Sequence, residues 1–281
     1  MEQPTHAALA TTPTQTITTA GAEFAYRELG RDSGIPLVAL THLGANLDSW
    51  DPAVIEPLAE DRRVILIGYR GVGASTGSVR DSFEDAASDA IAVIRALGFS
   101  RVDLLGLSMG GMVAQAIVTR APELVNRVIL AGTGPQGGPE LTTMTGVFVR
   151  GILQGIATFT NPTTLLFFTR TARGTQAASA YQKRLKQRTA DRDASVAPGV
   201  FRAQLRAVRR WGNEKNAPAD FVGPVLIIHG DSDRMVPPAN VESLAAQFPT
   251  ASVRIYPDSG HGVVSQNHDS VTETIQTFLR R

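Results

Sequence analysis

Residues 104–113 read LLGLSMGGMV, a serine set between glycines with apolar residues on either side. Residues 102–105 before it form a short Val/Leu-rich run of the kind that makes a buried strand, and residues 109–120 carry a helical pattern. Gly106-Leu107-Ser108-Met109-Gly110 is therefore G-x-S-x-G at a strand-to-helix turn. A turn this sharp is expected to hold Ser108 in strained backbone geometry, with Oγ projecting above the sheet. Side chains at Gly106 and Gly110 would collide with the turn. The start of the following helix offers free N–H groups and a positive dipole end, both suited to a developing oxyanion.

Outward from this turn, short apolar runs alternate with longer helical patterns. That alternation marks a mostly parallel sheet covered on both faces. Strands are expected at 15–18, 23–29, 37–41, 64–68, 102–105, 128–131, 225–229 and 252–256, the first two as an antiparallel pair. Helices are expected at 51–60, 82–97, 109–120, 239–247 and 268–279. The alternation fails between Thr133 and Gly223, an interval too long for a structureless loop. The expected organisation is a core of residues 14–134 and 221–281, a helical cap inserted at 135–220, and a loose Thr-rich arm at 1–13. Aromatic residues of the insertion (Phe148, Phe159, Phe167, Phe168, Phe201 and Trp211) are candidates to line a substrate pocket, foremost Phe148, Phe168 and Trp211.

Composition narrows the function. The 281 residues carry a net charge of +1, which gives no global reason for a nucleic-acid partner. Residues 135–220 nevertheless hold 13 Lys/Arg against 5 Asp/Glu, while the remainder holds 14 against 21. A basic, solvated face is the expected reading of that asymmetry. With no cysteine, disulfides and thiolate chemistry are excluded. No stretch approaches the roughly 20 apolar residues of a membrane helix, and the N-terminus lacks the pattern of a signal peptide. A cytoplasmic protein acting on a small molecule, without membrane or nucleic-acid partner, is the expectation.

A serine hydroxyl is a weak nucleophile until a base takes its proton, and the base needs an orienting carboxylate. Of five histidines, His6 lies in the arm, His42 ends a strand, His229 closes a buried strand and His268 begins the last helix. His261, in SGHGV after the last strand, sits at a C-terminal sheet edge, where ligands bind in open α/β sheets. It is the expected base, with Gly260 and Gly262 leaving its ring room to swing. VLIIHGDSDRMVPP supplies two carboxylates: Asp231, suited to a structural role in its turn, and Asp233, further out and slightly favoured by spacing.

With GLSMG, DSWDP (48–52), YRGVGAS (69–75), HGDSDRMVP (229–237) and SGHG (259–262) in view, the chain resembles the α/β-hydrolase-fold serine hydrolases. It is similar to bacterial esterases, cofactor-free haloperoxidase-like perhydrolases and related lactonases. The resemblance runs from about residue 15 to the end, the cap matching only by position. It implies an eight-stranded, mostly parallel sheet flanked by helices, and a triad acid at the second aspartate of GDxD, here Asp233. It further implies an oxyanion hole built from the backbone N–H of Met109 and of a residue after the third strand. Where the family commonly has His-Gly, this chain reads THLGANLDSW. Anchoring on Asp48-Ser49-Trp50 puts His42 at the glycine position, beside the hole, and Leu43 at the donor position. Anchoring on the histidine selects Gly44, and the longer DSW match favours Leu43. The implied chemistry is hydrolysis of a small to medium apolar carboxylic ester through an acyl-enzyme, with no metal or organic cofactor. A lactonase, a perhydrolase or haloperoxidase, and a carbon–carbon hydrolase would use the same residues. A non-catalytic receptor would use none. Haloalkane dehalogenase and epoxide hydrolase chemistry is disfavoured, because those enzymes carry an aspartate where this chain has Ser108.

Overall fold

Unbroken apolar runs such as LVAL and VILI leave a strand no face fit for water, so such strands must be covered on both sides. The computed structural model, which describes residues 8–215 and 220–280, shows this arrangement. The strands are β1 (Gln15–Thr19), β2 (Ala22–Leu29), β3 (Leu37–Leu40), β4 (Val64–Ile67), β5 (Val102–Leu107), β6 (Val125–Ala131), β7 (Val225–Gly230) and β8 (Ala251–Tyr256). They form one sheet in the order β1-β2-β4-β3-β5-β6-β7-β8. β2 runs antiparallel to β1 and β4, and the pairings from β4 through β8 are parallel.

Helices α1 (Pro52–Leu58), α2 (Phe83–Ala96) and α3 (Met109–Arg120) fill the first crossovers. Four more, α4 (Met144–Thr158), α5 (Pro162–Phe167), α6 (Ala172–Leu185) and α7 (Pro198–Asn213), lie between β6 and β7. The chain closes with α8 (Ala239–Gln247), the short α9 (Val263–Gln266) and α10 (His268–Arg280). Strand alternation divides the interior. Val38, Leu40, Ile65, Ile67 and Leu104 pack on one face with Ala87 of α2, Met112 of α3 and Leu244 of α8. Leu37, Ala39, Val64, Leu66, Leu105 and Leu107 pack on the other with Val54 of α1 and Ile275 of α10. No described helix is long and apolar enough to cross a membrane.

Several element ends shift by one to three residues from the sequence reading, and two differences matter most. β5 extends to Leu107, two residues beyond expectation, so the strand delivers the chain directly to Ser108. The expected loose arm is also tied down over its described part. Leu9 is buried and its N–H donates to the Glu56 carboxylate at 2.8 Å. Arg188 Nη1, from beyond the end of α6, donates to the carbonyls of Leu9 (3.0 Å) and Thr12 (2.9 Å). Residues 1–7, with His6, lie outside the described residues. No local pattern could announce this contact, because its two halves are some 180 residues apart.

The same arginine completes a buried charge cluster. Arg27, 0% exposed, donates to Asp48 Oδ1 at 2.6 Å, and Arg188 Nε lies 3.5 Å from that oxygen. Asp48 Oδ2 accepts the Asp193 N–H at 3.0 Å, tying the insertion to the loop after β3. Removing one partner from a buried ion cluster strands the others. Asp48→Asn is therefore expected to destabilise the fold by about 3–5 kcal/mol, measured as a lowered denaturant midpoint at unchanged slope. An unmoved midpoint would show that the two guanidinium groups do not depend on this carboxylate.

Candidate active site

β5 and α3 are joined by Ser108 alone, and the join requires φ +55° and ψ −116° there, an uncommon conformation for a residue with a Cβ. The Ser108 N–H donates to the Ala131 carbonyl of β6 at 2.8 Å, which continues the β5–β6 ladder up to the turn. A Cβ at Gly106 would stand 2.5 Å from the Gly110 carbonyl oxygen, and one at Gly110 would drive into the Leu40 carbonyl. Both positions accept only glycine if strand and helix are to meet this closely.

The structure brings Ser108, His261 and Asp233 into one hydrogen-bonded chain from three distant segments. His261 Nε2 lies 2.8 Å from Ser108 Oγ, and its Nδ1 lies 2.8 Å from Asp233 Oδ2. An ionised carboxylate only accepts, so the ring proton sits on Nδ1 and the Nε2 lone pair faces the serine hydroxyl. Asp233 is fixed in turn, its Oδ1 accepting the Met235 and Val236 N–H groups at 2.8 and 3.0 Å. Burial works against its ionisation, but the neighbouring His261 and His229 and the Val236 N–H outweigh that and hold the carboxyl below the usual carboxylate range. Asp231 stays out of this chain. Its Oδ1 accepts from the Ser259 N–H at 3.2 Å and the Ser232 hydroxyl at 2.8 Å, which braces the turn.

The other imidazoles have different occupations. His229 is fully buried, Nε2 donating to the Val236 carbonyl at 2.9 Å and lying 3.5 Å from Asp233 Oδ2. His268 sits beside Asp269 at the start of α10. His42 is buried edge-on to Phe167, the ring that also meets His261. Its Nδ1 donates to the Leu43 carbonyl at 3.0 Å, and its Nε2 has no partner among the described residues. Burial, assisted by the proximity of His261, pushes its pKa down to about 4.

The loop after β3 carries the two amides weighed as oxyanion donors. The Gly44 N–H is engaged, donating to Gln204 Oε1 of α7 at 2.7 Å. The N–H groups of Leu43 and Met109 donate to no described residue.

The expected pocket aromatics separate. Phe148 is half-buried, 5.8 Å from the ring of Phe201. Phe168 is packed on Tyr181 at 5.6 Å, and Trp211 meets Phe83 edge-on while its Nε1–H donates to the Gly134 carbonyl at 3.2 Å. Phe168 thus packs within the inserted helices, Trp211 joins α7 to the core, and Phe159 is fully exposed. The ring nearest the hydrogen-bonded chain is Phe167, at the end of α5, edge-on to both His42 (4.8 Å) and His261 (5.2 Å). Phe167 is one of six candidate rings, with nothing in the sequence to single it out, and Gln204 carries no signal there beyond a polar residue on the apolar stripe of a helix.

A family model described as alpha/beta hydrolase fold matches residues 35–267. An alpha/beta hydrolase fold protein from Chitinophaga pinensis superposes with a TM-score of 0.91 at 32% identity, covering 96% of this chain and 98% of that one. A putative esterase/lipase of Haemophilus influenzae is 26% identical over 272 residues, 92% of this chain and 88% of its own. The dihydrolipoyllysine-residue acetyltransferase component of an acetoin cleaving system from Pseudomonas putida is 24% identical over 261 residues. That match takes in 90% of this chain but only 66% of the relative.

His42 gives the site a pH signature. In the folded chain it takes its proton near pH 4, and in the unfolded chain near 6.5. Between those values the unfolded state holds the extra proton, so stability falls as pH drops from 6.5 through 4. His42→Gln removes this contribution. The wild type is expected to lose on the order of 3 kcal/mol more than the variant between pH 7 and 4, read from urea midpoints. Parallel losses in the two proteins would show that His42 is protonated in the fold at no cost.

Proposed function

This chain belongs to the alpha/beta hydrolase fold family, and we propose that it is a serine hydrolase cleaving carboxylic esters of small to medium apolar substrates. The observation that carries the reading is the Ser108–His261–Asp233 chain, with 2.8 Å at each of its two links. His261 Nε2 takes the hydroxyl proton as Oγ attacks the ester carbonyl, and Asp233 holds the imidazolium orientation. The carbonyl oxygen becomes an oxyanion, received by the backbone N–H groups of Leu43 and Met109. Gly44 is the poorer candidate for that role, because its N–H is already given to Gln204. On collapse, the C–O bond to the alcohol breaks and His261 returns the proton to the departing oxygen. Water then adds to the acyl-enzyme with His261 as base, which releases the carboxylic acid and restores the serine.

We read the inserted helices as the cap of this site. Ser108 is 2% and His261 1% exposed, and Phe167 of α5 packs against the catalytic imidazole. An ester therefore reaches Oγ only when the cap segment moves aside, and the departing water leaves a low-dielectric site in which the oxyanion contacts count for more. The Phe167 ring against His261 and the Phe201 ring against Gly44 favour an apolar substrate.

Ser108→Ala is expected to lower kcat on short p-nitrophenyl esters by about 10⁴-fold or more with the fold intact by circular dichroism. Turnover at the wild-type level in that variant would end the proposal. Asp233→Asn preserves shape but favours the wrong ring tautomer, so a loss of about 10³- to 10⁴-fold is expected. Asp231→Asn is expected to stay within about tenfold, since its contacts brace a turn only. Equal losses from the two substitutions would take the role of acid away from Asp233.

A further inference from the structure

Helix α7 buries a stripe of Val200, Ala203, Ala207, Val208 and Trp211, and Gln204 lies in the middle of it, 3% exposed. A carboxamide among apolar neighbours is costly unless it is hydrogen-bonded. The partner of Gln204 Oε1 is the Gly44 N–H, at 2.7 Å and 160 positions away. At the other end of the same peptide unit, the Leu43 carbonyl accepts from His42 Nδ1 at 3.0 Å. The Leu43–Gly44 peptide plane is thus held at both poles. Holding that plane constrains ψ of Leu43 and the loop conformation that aims the Leu43 N–H.

The grip of the cap on this loop extends beyond one bond. Phe201, one turn before Gln204, places its ring where a Cβ at residue 44 would have to stand. The Asp193 carboxylate, in the segment leading to α7, accepts the Leu47 N–H at 3.0 Å, and the Ala194 carbonyl accepts from Asn46 Nδ2 at 2.9 Å. Loop residues 44–47 are therefore oriented largely by the segment 193–204.

We propose that Gln204 is a positioning residue for the oxyanion hole: by engaging the Gly44 amide from α7, it makes correct aim of the Leu43 N–H depend on the cap being docked. The inference rests on the serine-hydrolase reading above. Displacing α7 would release the Gly44 amide, so the donor set is complete only with α7 docked. His42 holds the other end of the same peptide plane, which gives its buried imidazole a structural occupation.

The test compares Gln204→Met, which keeps length but has no amide acceptor, with Gln204→Asn, which keeps the acceptor but falls one methylene short. In each, kcat on a short p-nitrophenyl ester is expected to fall about 10- to 100-fold with KM within about twofold, as for a misplaced donor. A trifluoromethyl ketone, whose hemiketal oxygen occupies the hole, should weaken by the same factor as kcat/KM, whereas a neutral alcohol product inhibitor should bind as before. A purely structural role would move thermal stability and both inhibitors together. Unchanged kcat and ketone affinity in a folded variant would overturn the proposal while leaving the hydrolase reading in place. Absence of ester turnover in the wild type would count against that reading instead. Native-state hydrogen exchange of the wild type needs no variant: the Gly44 amide is expected to be protected at least about 100-fold, and an unprotected amide there would also overturn the proposal.

Discussion

The meeting of β5 and α3 through one residue is the constraint on which the site depends. Helix and strand approach so closely at Gly106 and Gly110 that a methyl group at either would strike backbone. The chain can turn there only by putting Ser108 at positive φ. Such a conformation costs on the order of 1–3 kcal/mol, supported here by the Ser108 amide bond to Ala131 and by strands buried on both faces. Its consequence is directional. The side chain of Ser108 leaves the sheet at the C-terminal edge, toward the loops that follow β7 and β8, and meets His261 instead of the core.

Electrostatics around the serine follow from burial and from a single carboxylate. Three imidazoles lie close together, yet burial depresses the pKa of both His42 and His229. Each spends a ring N–H on a backbone carbonyl, His42 on Leu43 and His229 on Val236. His261 alone makes a full hydrogen bond to Asp233, 2.8 Å against 3.5 Å for His229. In the proposed reaction the positive charge therefore forms on one ring only, and the neutral His42 adds no competing cation beside the oxyanion.

What was legible in the sequence was what local patterning encodes. The VILI and LVAL strands, the turn at Ser108 and the helix from Met109 each announce themselves within a few residues, because strand burial and tight turns restrict residue type locally. Asp233 was separable from Asp231 only slightly by spacing, since both follow the same strand. Their difference lies in which carboxylate reaches His261, 28 positions on. Contacts made by the insertion were not legible at all. Trp211 and Phe168 looked like pocket rings and are packing contacts, Phe167 was undistinguished, and Gln204 acquires meaning only from a loop 160 residues earlier. Residues 8–13 looked like a free arm because Arg188, which holds them, belongs to a different part of the chain.

Part of the charge asymmetry between insertion and core is used in the same long-range contacts. A surplus of arginine in residues 135–220 read as a solvated basic face. Eleven of its thirteen cations are exposed, as that reading expects, and a few arginines are also paired with core carboxylates. Arg184 makes a two-point bond to Asp51 at 2.6 and 2.7 Å, Arg188 and Arg192 approach Asp48, and Arg206 and Arg210 share Asp81. The exposed pairs at Asp81 add little stability, but the carboxylates of Asp48 and Asp51 are 8% and 2% exposed, and there a lost partner would be costly. Both carboxylates flank Trp50, in the loop that begins at His42 and carries Leu43. Opposite charge on the two parts thus draws the insertion onto the segment whose geometry the proposed oxyanion hole requires. A helical segment joined by hydrophobic contact alone would have many nearly equivalent seats on the sheet edge. Directional pairs to Asp48 and Asp51, together with the Gln204 bond to Gly44, select one of them.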